Sequence, residues 1–426
     1  MENRYDKYKD SGIAWIGEIP EHWDTYQLKR CSKFINGYAF NSNHFNKDKG
    51  IPVIRIGDIL NEQISFENIV YVQENNELEK FMAHKNDILI AMSGATVGKI
   101  GIYSTEDKVY INQRVGIIRT IQYNFIKRMF TTNGFVDYVN LSSAGSAQPN
   151  ISSEEILNFY IPAPSIKEQQ LIATYLDQKC SEIDELITIQ EEMITKLQSY
   201  KQSVITEAVT KGLDKNVPLK DSGIEWIGKI PEHWNTYQLK RCSKFINGYA
   251  FNSNHFNKDK GIPVIRIGDI LNEQISFENI VYVQENNELE KFIVHKNDIL
   301  IAMSGATVGK IGVYNSDDKV YINQRVGIIR TTQYNYIKRM FSTNGFIDYI
   351  NLSSAGSAQP NISSDGILNF HIPVPPLNEQ QTIANYLDQK CSEIDELISI
   401  KQQKIEKLKD YKKSLIFECV TGKRKV

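Results

Sequence analysis

The sequence is poor in the residues that build disulfide frameworks, thiolate metal centres, membrane anchors and motors. Its five cysteines are Cys31, Cys180, Cys242, Cys391 and Cys419, an odd number with no C-x-x-C pair. That pattern argues against a disulfide scaffold or a zinc site and suits a reducing cytoplasm. No run of about eighteen apolar residues occurs, so no membrane span is expected. The polar N-terminus MENRYDKYKD has no apolar stretch of a secretory signal. A phosphate loop is missing. The nearest approach, Ser93-Gly94-Ala95-Thr96-Val97-Gly98-Lys99, has three residues between its glycines and Ile100 after its lysine. The motif needs four and a hydroxyl, so no ATP-driven motor is encoded. Neither Pro164 nor Pro375-Pro376 lies in the Asn/Asp-Pro-Pro-Tyr/Phe context of an amino-methyltransferase. Excess positive charge is absent too: the formal net charge is −2, so any nucleic-acid contact has to rest on local patches.

What the chain does have is a repeat. Shifting by 211 residues carries Ser11-Gly12-Ile13 onto Ser222-Gly223-Ile224, Trp23 onto Trp234 and Ile183 onto Ile394. Residues 25–81 reappear unchanged as 236–292. Later differences are mild: Ile102 against Val313, Phe125 against Tyr336, Val136 against Ile347. Solenoid units run to about 50 residues, so a unit this long is one domain-sized fold written twice. The chain of 426 residues has room for roughly two to four domains.

Each copy reads as two parts. The first has short β-rich runs, such as Pro52-Val53-Ile54-Arg55-Ile56 and Asp87-Ile88-Leu89-Ile90-Ala91, separated by Gly, Asn and Asp turns. Helical pieces are expected as well, for instance over residues 124–140. This is an α+β, or mixed α/β, globule. The second part is a long helix. Ser165 with Glu168 makes a capping box at its start, and in the second copy Pro376 suits a first helical turn. No Gly or Pro follows until after Lys211. The implied segments are residues 1–163, 164–212, 213–374 and 375–426, the last ending in a basic tail.

The helices carry apolar residues at heptad spacing. Leu176, Ile183, Leu197 and Val204 share one core position; Leu186, Met193 and Tyr200 occupy the other, with Ile187 and Ile194 widening the stripe. The second copy repeats this with Leu387, Ile394, Leu397, Leu408, Tyr411 and Leu415. Such stripes need partners. Packing on the helix's own domain is one solution. The better one is that the two helices pair, antiparallel, into a stiff rod with a globule at each end. Gln190 and Lys401 fall at matching core positions, where polar residues fix register. About forty residues at ~1.5 Å each span ~60 Å.

The ordered motifs resemble those of one known family. Gly17-Glu18-Ile19-Pro20-Glu21-His22-Trp23 opens each copy, Asn86-Asp87-Ile88-Leu89-Ile90-Ala91-Met92-Ser93-Gly94 lies mid-domain, and Ile161-Pro162-Ala163-Pro164 followed by Glu168-Gln169-Gln170-Leu171-Ile172-Ala173 leads into the helix. Taken together they resemble the specificity subunit of type I restriction-modification systems. The resemblance implies two target recognition domains on an antiparallel coiled-coil spacer and a non-catalytic, cytoplasmic, DNA-binding role. It also implies two methyltransferase subunits that use S-adenosylmethionine, and restriction/translocase subunits that use ATP and Mg. No cofactor or metal is expected on this chain itself. A coiled-coil scaffold or a stand-alone DNA-binding regulator is the alternative. Two readers on one face of B-DNA sit about one turn apart, ~34 Å or ~10 base pairs. The two domains are nearly the same sequence, so the expected target is an interrupted palindrome.

Phosphate contacts need cations, amides and hydroxyls, and base edges need Arg, Lys, Asn, Gln or Ser. Three stretches supply them in both copies. The first holds Asn36, Tyr38, Asn41, Asn43, His44, Lys47 and Lys49, matched by Asn247, Tyr249, Asn252, Asn254, His255, Lys258 and Lys260. The second holds Ser93, Thr96 and Lys99, matched by Ser304, Thr307 and Lys310. The third combines Gln113 and Arg114 with Gln148 and Asn150, matched by Gln324, Arg325, Gln359 and Asn361. A structural ion pair is the competing role for Arg114. His22 and His233, beside tryptophans, are expected to pack and not to catalyse.

Overall fold

A computed structural model describes residues 4–60, 62–143, 148–271, 273–354 and 360–426. The chain divides into two compact units, Met1–Gln190 with Gln403–Val426, and Glu191–Gln402. Each unit takes its own globule, the first half of the helix that follows it, and the second half of the other long helix.

In the first unit an antiparallel sheet runs in the order Ile100–Ile102, Ile88–Ala91, Val115–Arg119, Lys33–Asn36. Ile88 and Ile90 face one core and Leu89 and Ala91 another. Burial on both faces is why this strand reads as an unbroken apolar run and not as an alternation. A second sheet, Val70–Val72, Ile51–Ile54, Val109–Ile111, Met82–Ala83, contains one parallel pair, Ile51–Ile54 with Val109–Ile111. The expected helical piece over 124–140 is two helices, Tyr123–Met129 and Asn133–Ser142. Thr132 interrupts it, because its hydroxyl accepts from Phe135 N–H and caps the second helix. Asp24–Gln27 pairs with Tyr160–Ala163 at the root of the long helix. There Trp23 is fully buried. The second unit repeats these elements, except that Ile293 makes only a single bridge to Tyr321 where Met82–Ala83 forms a strand.

The long helices are Ile166–Lys211 and Leu377–Val420. The capping box at the first is formed: Ser165 N–H and Oγ donate to Glu168 Oε2 at 3.0 and 2.8 Å, and Glu168 N–H donates to Ser165 Oγ. Within each unit the two helical stretches run antiparallel. In the first, Asp184 meets Lys412 at 2.7 Å and Tyr175 meets Arg424. In the second, Lys201 meets Asp395 at 2.7 Å and Lys401 Nζ lies 3.2 Å from Met193 Sδ.

One half of the expected heptad assignment is corrected. Leu176, Ile183, Val204, Leu387, Ile394 and Leu415 are buried, as is Gln190, and Leu197 and Leu408 are half-buried. Leu186 (44%), Met193 (41%), Tyr200 (57%), Leu397 (47%) and Tyr411 (51%) are exposed. The second core position is one residue later, at Cys180, Ile187, Ile194, Lys201 and Ala208 on the first helix. On the second it is Cys391, Ile398, Ile405, Lys412 and Cys419. Both rows are apolar enough to serve. The tie is decided by small residues at the crowded ends and by lysines whose stems lie in the seam while their charged ends reach Asp395 and Asp184. A half-buried ion pair also fixes the globule to the helix: the buried Arg128 meets the partly exposed Asp177 at 2.5 Å, and Arg339 pairs with Asp388 in the second unit. Burial alone raises the Asp388 carboxyl, but Arg339 and Lys338 outweigh it and hold it below its ordinary range.

Candidate nucleic-acid interface

Four segments that are far apart in sequence lie side by side in the first unit. Gly37 N–H donates to Val115 O and Tyr38 N–H to Ile111 O, both at 3.0 Å. Met92 N–H donates to Arg114 O at 2.8 Å, Ile151 N–H to Met92 O at 2.9 Å, and Gly94 N–H to Pro149 O at 2.9 Å. This ladder sets Asn36, Arg114, Ser93 and Asn150 in a row. Glycine is required at position 37: a Cβ there would lie 2.0 Å from Asn112 O. The row floors a cleft of about 520 Å³ lined by Asn36, Ser93, Gln113, Arg114, Gln148 and Asn150, together with Met92, Pro149, Ile151, Ser152 and Ser153. The second unit repeats the ladder through Gly248, Tyr249, Met303, Gly305 and Ile362, and Ser304 bridges to Asn361.

The predicted residues separate into two groups. Asn36, Ser93, Gln113, Arg114, Gln148 and Asn150 converge on the cleft. Arg114 and Arg325 are exposed, and among the described residues neither enters an ion pair, so the competing structural role finds no partner acid. Both arginines stand beside amide side chains, the donor and acceptor set that fits base edges. Gln359 lies outside the described residues.

The others lie elsewhere. Asn41, Asn43, His44, Lys47 and Lys49 sit on an exposed loop tied down by paired backbone bonds between Asn46 and Tyr71. The side-chain Oδ1 of Asn41 accepts from Asn43 N–H at 3.0 Å and caps the turn, as that of Asn252 does for Asn254. Tyr38 packs on Phe40 and Phe81 at 4.9 and 5.2 Å, and Tyr249 repeats this on Phe251 and Phe292. Lys99 faces away from the cleft into a separate cavity with Glu62, Phe130 and Val139. Among the described residues the buried hydroxyls of Thr96 and Thr307 meet no partner, nor do those of Ser93 and Ser304. The glycine-bearing stretch is thus a strand-to-strand connection from which only its serine reaches the cleft.

Ser152 and Ser153 line the cleft and were not foreseen. Their signal was present, since Ser152 forms a capping box with Glu155 that starts a helix at the cleft edge. His22 and His233 do not pack inside. They are exposed, and each bonds the glutamate at a helix start, Glu168 or Glu379, at 2.8 Å. Among the described residues no cluster of His, Cys, Asp or Glu could hold a metal ion, and no helix is long and apolar enough to cross a membrane.

Residues 20–198 and 231–410 each match the type I restriction modification DNA specificity domain. The type I restriction enzyme EcoBI specificity subunit of Escherichia coli is 24% identical over 97% of this chain and 88% of its own length. The MjaVIII specificity subunit of Methanocaldococcus jannaschii is 24% identical over 96% and 94%. Among solved structures, a chain from a study of complex assembly and conformational transition of the type I R-M system superposes with a TM-score of 0.74 at 16% identity, covering 94% of this chain and 98% of that one. The HsdS subunit of Thermoanaerobacter tengcongensis gives 0.53 at 16% identity, over 95% and 98%. Two copies of one domain, each ending in a long helix and each matched separately by the family model, leave one assignment: the chain belongs to the type I restriction-modification DNA specificity family.

Proposed function

We propose that each globule reads one half of a bipartite DNA target and that the two halves are equal and inverted. The chain is the non-catalytic, sequence-specific DNA-binding subunit of its complex. The carrying observation is that the cleft residues are the same in both copies: Asn36 and Asn247, Ser93 and Ser304, Gln113 and Gln324, Arg114 and Arg325, Gln148 and Gln359, Asn150 and Asn361. Equal donor and acceptor sets read equal base edges. The phosphate term comes from exposed lysines such as Lys47 and Lys49 with their repeats Lys258 and Lys260.

Two methyltransferase subunits complete the modification complex, supplying S-adenosylmethionine chemistry. Restriction/translocase subunits add ATP- and Mg-dependent steps, in the cytoplasm. Support for two equal partners comes from the helices: each unit exposes the same trio of apolar residues, Leu186, Ile189 and Tyr411 in the first and Leu397, Ile400 and Tyr200 in the second. Co-expression with the methyltransferase from the same source, followed by single-molecule mapping of methylated positions, tests the reading. A two-part motif with matching inverted halves is expected. An asymmetric motif removes the equal-half argument, and methylation that ignores this chain removes the specificity role.

A further inference from the structure

The repeat provides an internal control at the ends of the long helices. In the first unit Arg424 is held by three residues. Its Nε lies 3.3 Å from Glu418 Oε2, its side chain donates to the hydroxyls of Tyr411 and Tyr175, and its backbone N–H donates to Glu418 O at 3.1 Å. The same three side chains recur 211 residues away in the second unit as Glu207, Tyr200 and Tyr386. There they line an open cavity of about 460 Å³.

Among the described residues no arginine of the second unit lines it. Both helices end on a left-handed glycine, Gly422 (φ 73°) and Gly212 (φ 75°). Two residues beyond it the first unit has Arg424 and the second has Asp214. Lys211 and Lys215 also line the cavity, but among the described residues no cation lies in salt-bridge range of Glu207. A carboxylate with two phenol oxygens offers acceptors to several N–H donors at once. The planar guanidinium, with five donors and a permanent charge, suits that set better than an ammonium.

We propose that the cavity lined by Tyr200, Glu207 and Tyr386 receives an arginine side chain of the methyltransferase subunit docked on the second unit. The identity of that partner rests on the function proposed above. The two units, alike toward DNA, are then unlike toward their partners. One site is filled from within the chain and the other is completed by the partner.

The test is a titration of the full chain with its methyltransferase, followed by native mass spectrometry. Glu207→Gln is expected to weaken one of the two binding steps by about 10- to 100-fold, the range of a lost charge-assisted hydrogen bond. Asp214→Arg, which supplies the missing arginine from inside, is expected to weaken the same step. Glu418→Gln is expected to leave both steps unchanged. Thermal unfolding of Glu207→Gln should match the parent chain, since no cation is lost from its side. Unchanged binding by Glu207→Gln and Asp214→Arg overturns the proposal, as does an equal loss with Glu418→Gln. A parent chain that binds no methyltransferase overturns the functional reading together with it.

Discussion

The two units share the residues that would face DNA and differ along their long helices, most often at exposed positions. Every residue lining the first unit's cleft recurs unchanged 211 positions later in the sequence. On the helices Gln190 is replaced by Lys401, Ala208 by Cys419 and Thr206 by Phe417. A base edge demands a particular donor or acceptor at a particular place, so equal half-sites tolerate no change there. A helix seam demands only that volumes and charges complement locally, and most of its positions repeat, Ile183 as Ile394, Ile187 as Ile398 and Lys201 as Lys412, while exposed positions drift, Met193 to Lys404, Thr195 to Glu406 and Gln198 to Lys409. The seam of the second unit accepts Lys401 against the Met193 sulfur, while Gln190 is buried in the first. Identity between repeats therefore covers the cleft, the core and most of the seam, and divergence collects on the exposed faces of the helices.

The largest effect should come from the tryptophans at the helix roots. Trp23→Ala and Trp234→Ala each remove a fully buried indole and its bond to a helix-start glutamate. Each should cost about 3–5 kcal/mol. Hydrogen exchange read separately over the two units should show equal losses, each confined to the mutated unit. A loss spread over both would mean that the units do not open independently. Next come the cleft arginines. Arg114→Ala and Arg325→Ala should each lower affinity by about 1–3 kcal/mol if each makes a bidentate base contact. Methylation of a target library should show each variant relaxing one half-site by the same amount. Unequal relaxation would break the equivalence of the two clefts.

Much of this was legible in the sequence because the repeat fixes it twice. The long helices, their starts and their pairing follow from the absence of Gly and Pro and from the capping pattern. The cleft was legible as residue types but not as a place. Nothing in local sequence tells that Arg114, Ser93 and Asn150 become neighbours, because the bonds that join them are between segments tens of residues apart. The seam was half legible. Leu186, Met193 and Tyr200 form as good a heptad row as Ile187, Ile194 and Lys201, and a lysine reads as surface until its acid, Asp395, is placed opposite. Lys99 failed differently. It followed a glycine pattern that suggests a phosphate cradle, but the turn directs it to the side of Glu62 and Val139.

A smaller effect separates the cores. Tyr336 is fully buried and its hydroxyl lies 3.1 Å from Pro373 O and 3.3 Å from Val209 O, whereas the first unit has Phe125. Tyr336→Phe should destabilise the second unit by about 0.5–1.5 kcal/mol, the net value of one such bond. Denaturant midpoints resolve this. Phe125→Tyr should not produce an equal gain in the first unit, where Cys419 stands in place of Ala208.

The smallest effect is one of pH, and it arises where the helix starts differ. Burial opposes the charge on Glu168, but hydrogen bonds from His22, Ser165 and Trp23 outweigh it and bring its pKa from 4.5 to about 2. A carboxylate with a lowered pKa stabilises the folded state above its unfolded pKa, and that contribution is lost as pH falls through the folded one. The Glu168 share should therefore be complete at neutral pH, decline between pH 4.5 and about 2, and be gone below. In the second unit Pro376 stands in place of Ser165, so Glu379 keeps the bonds from His233 and Trp234 but has no serine hydroxyl or serine N–H to accept from. Ser165→Pro should shift the acid unfolding of the first unit upward in pH and leave that of the second where it was. Exchange rates followed per unit from pH 5 downward would show it. A shift in neither unit would mean that the histidine and tryptophan bonds alone hold the glutamate, and that the serine matters only for starting the helix.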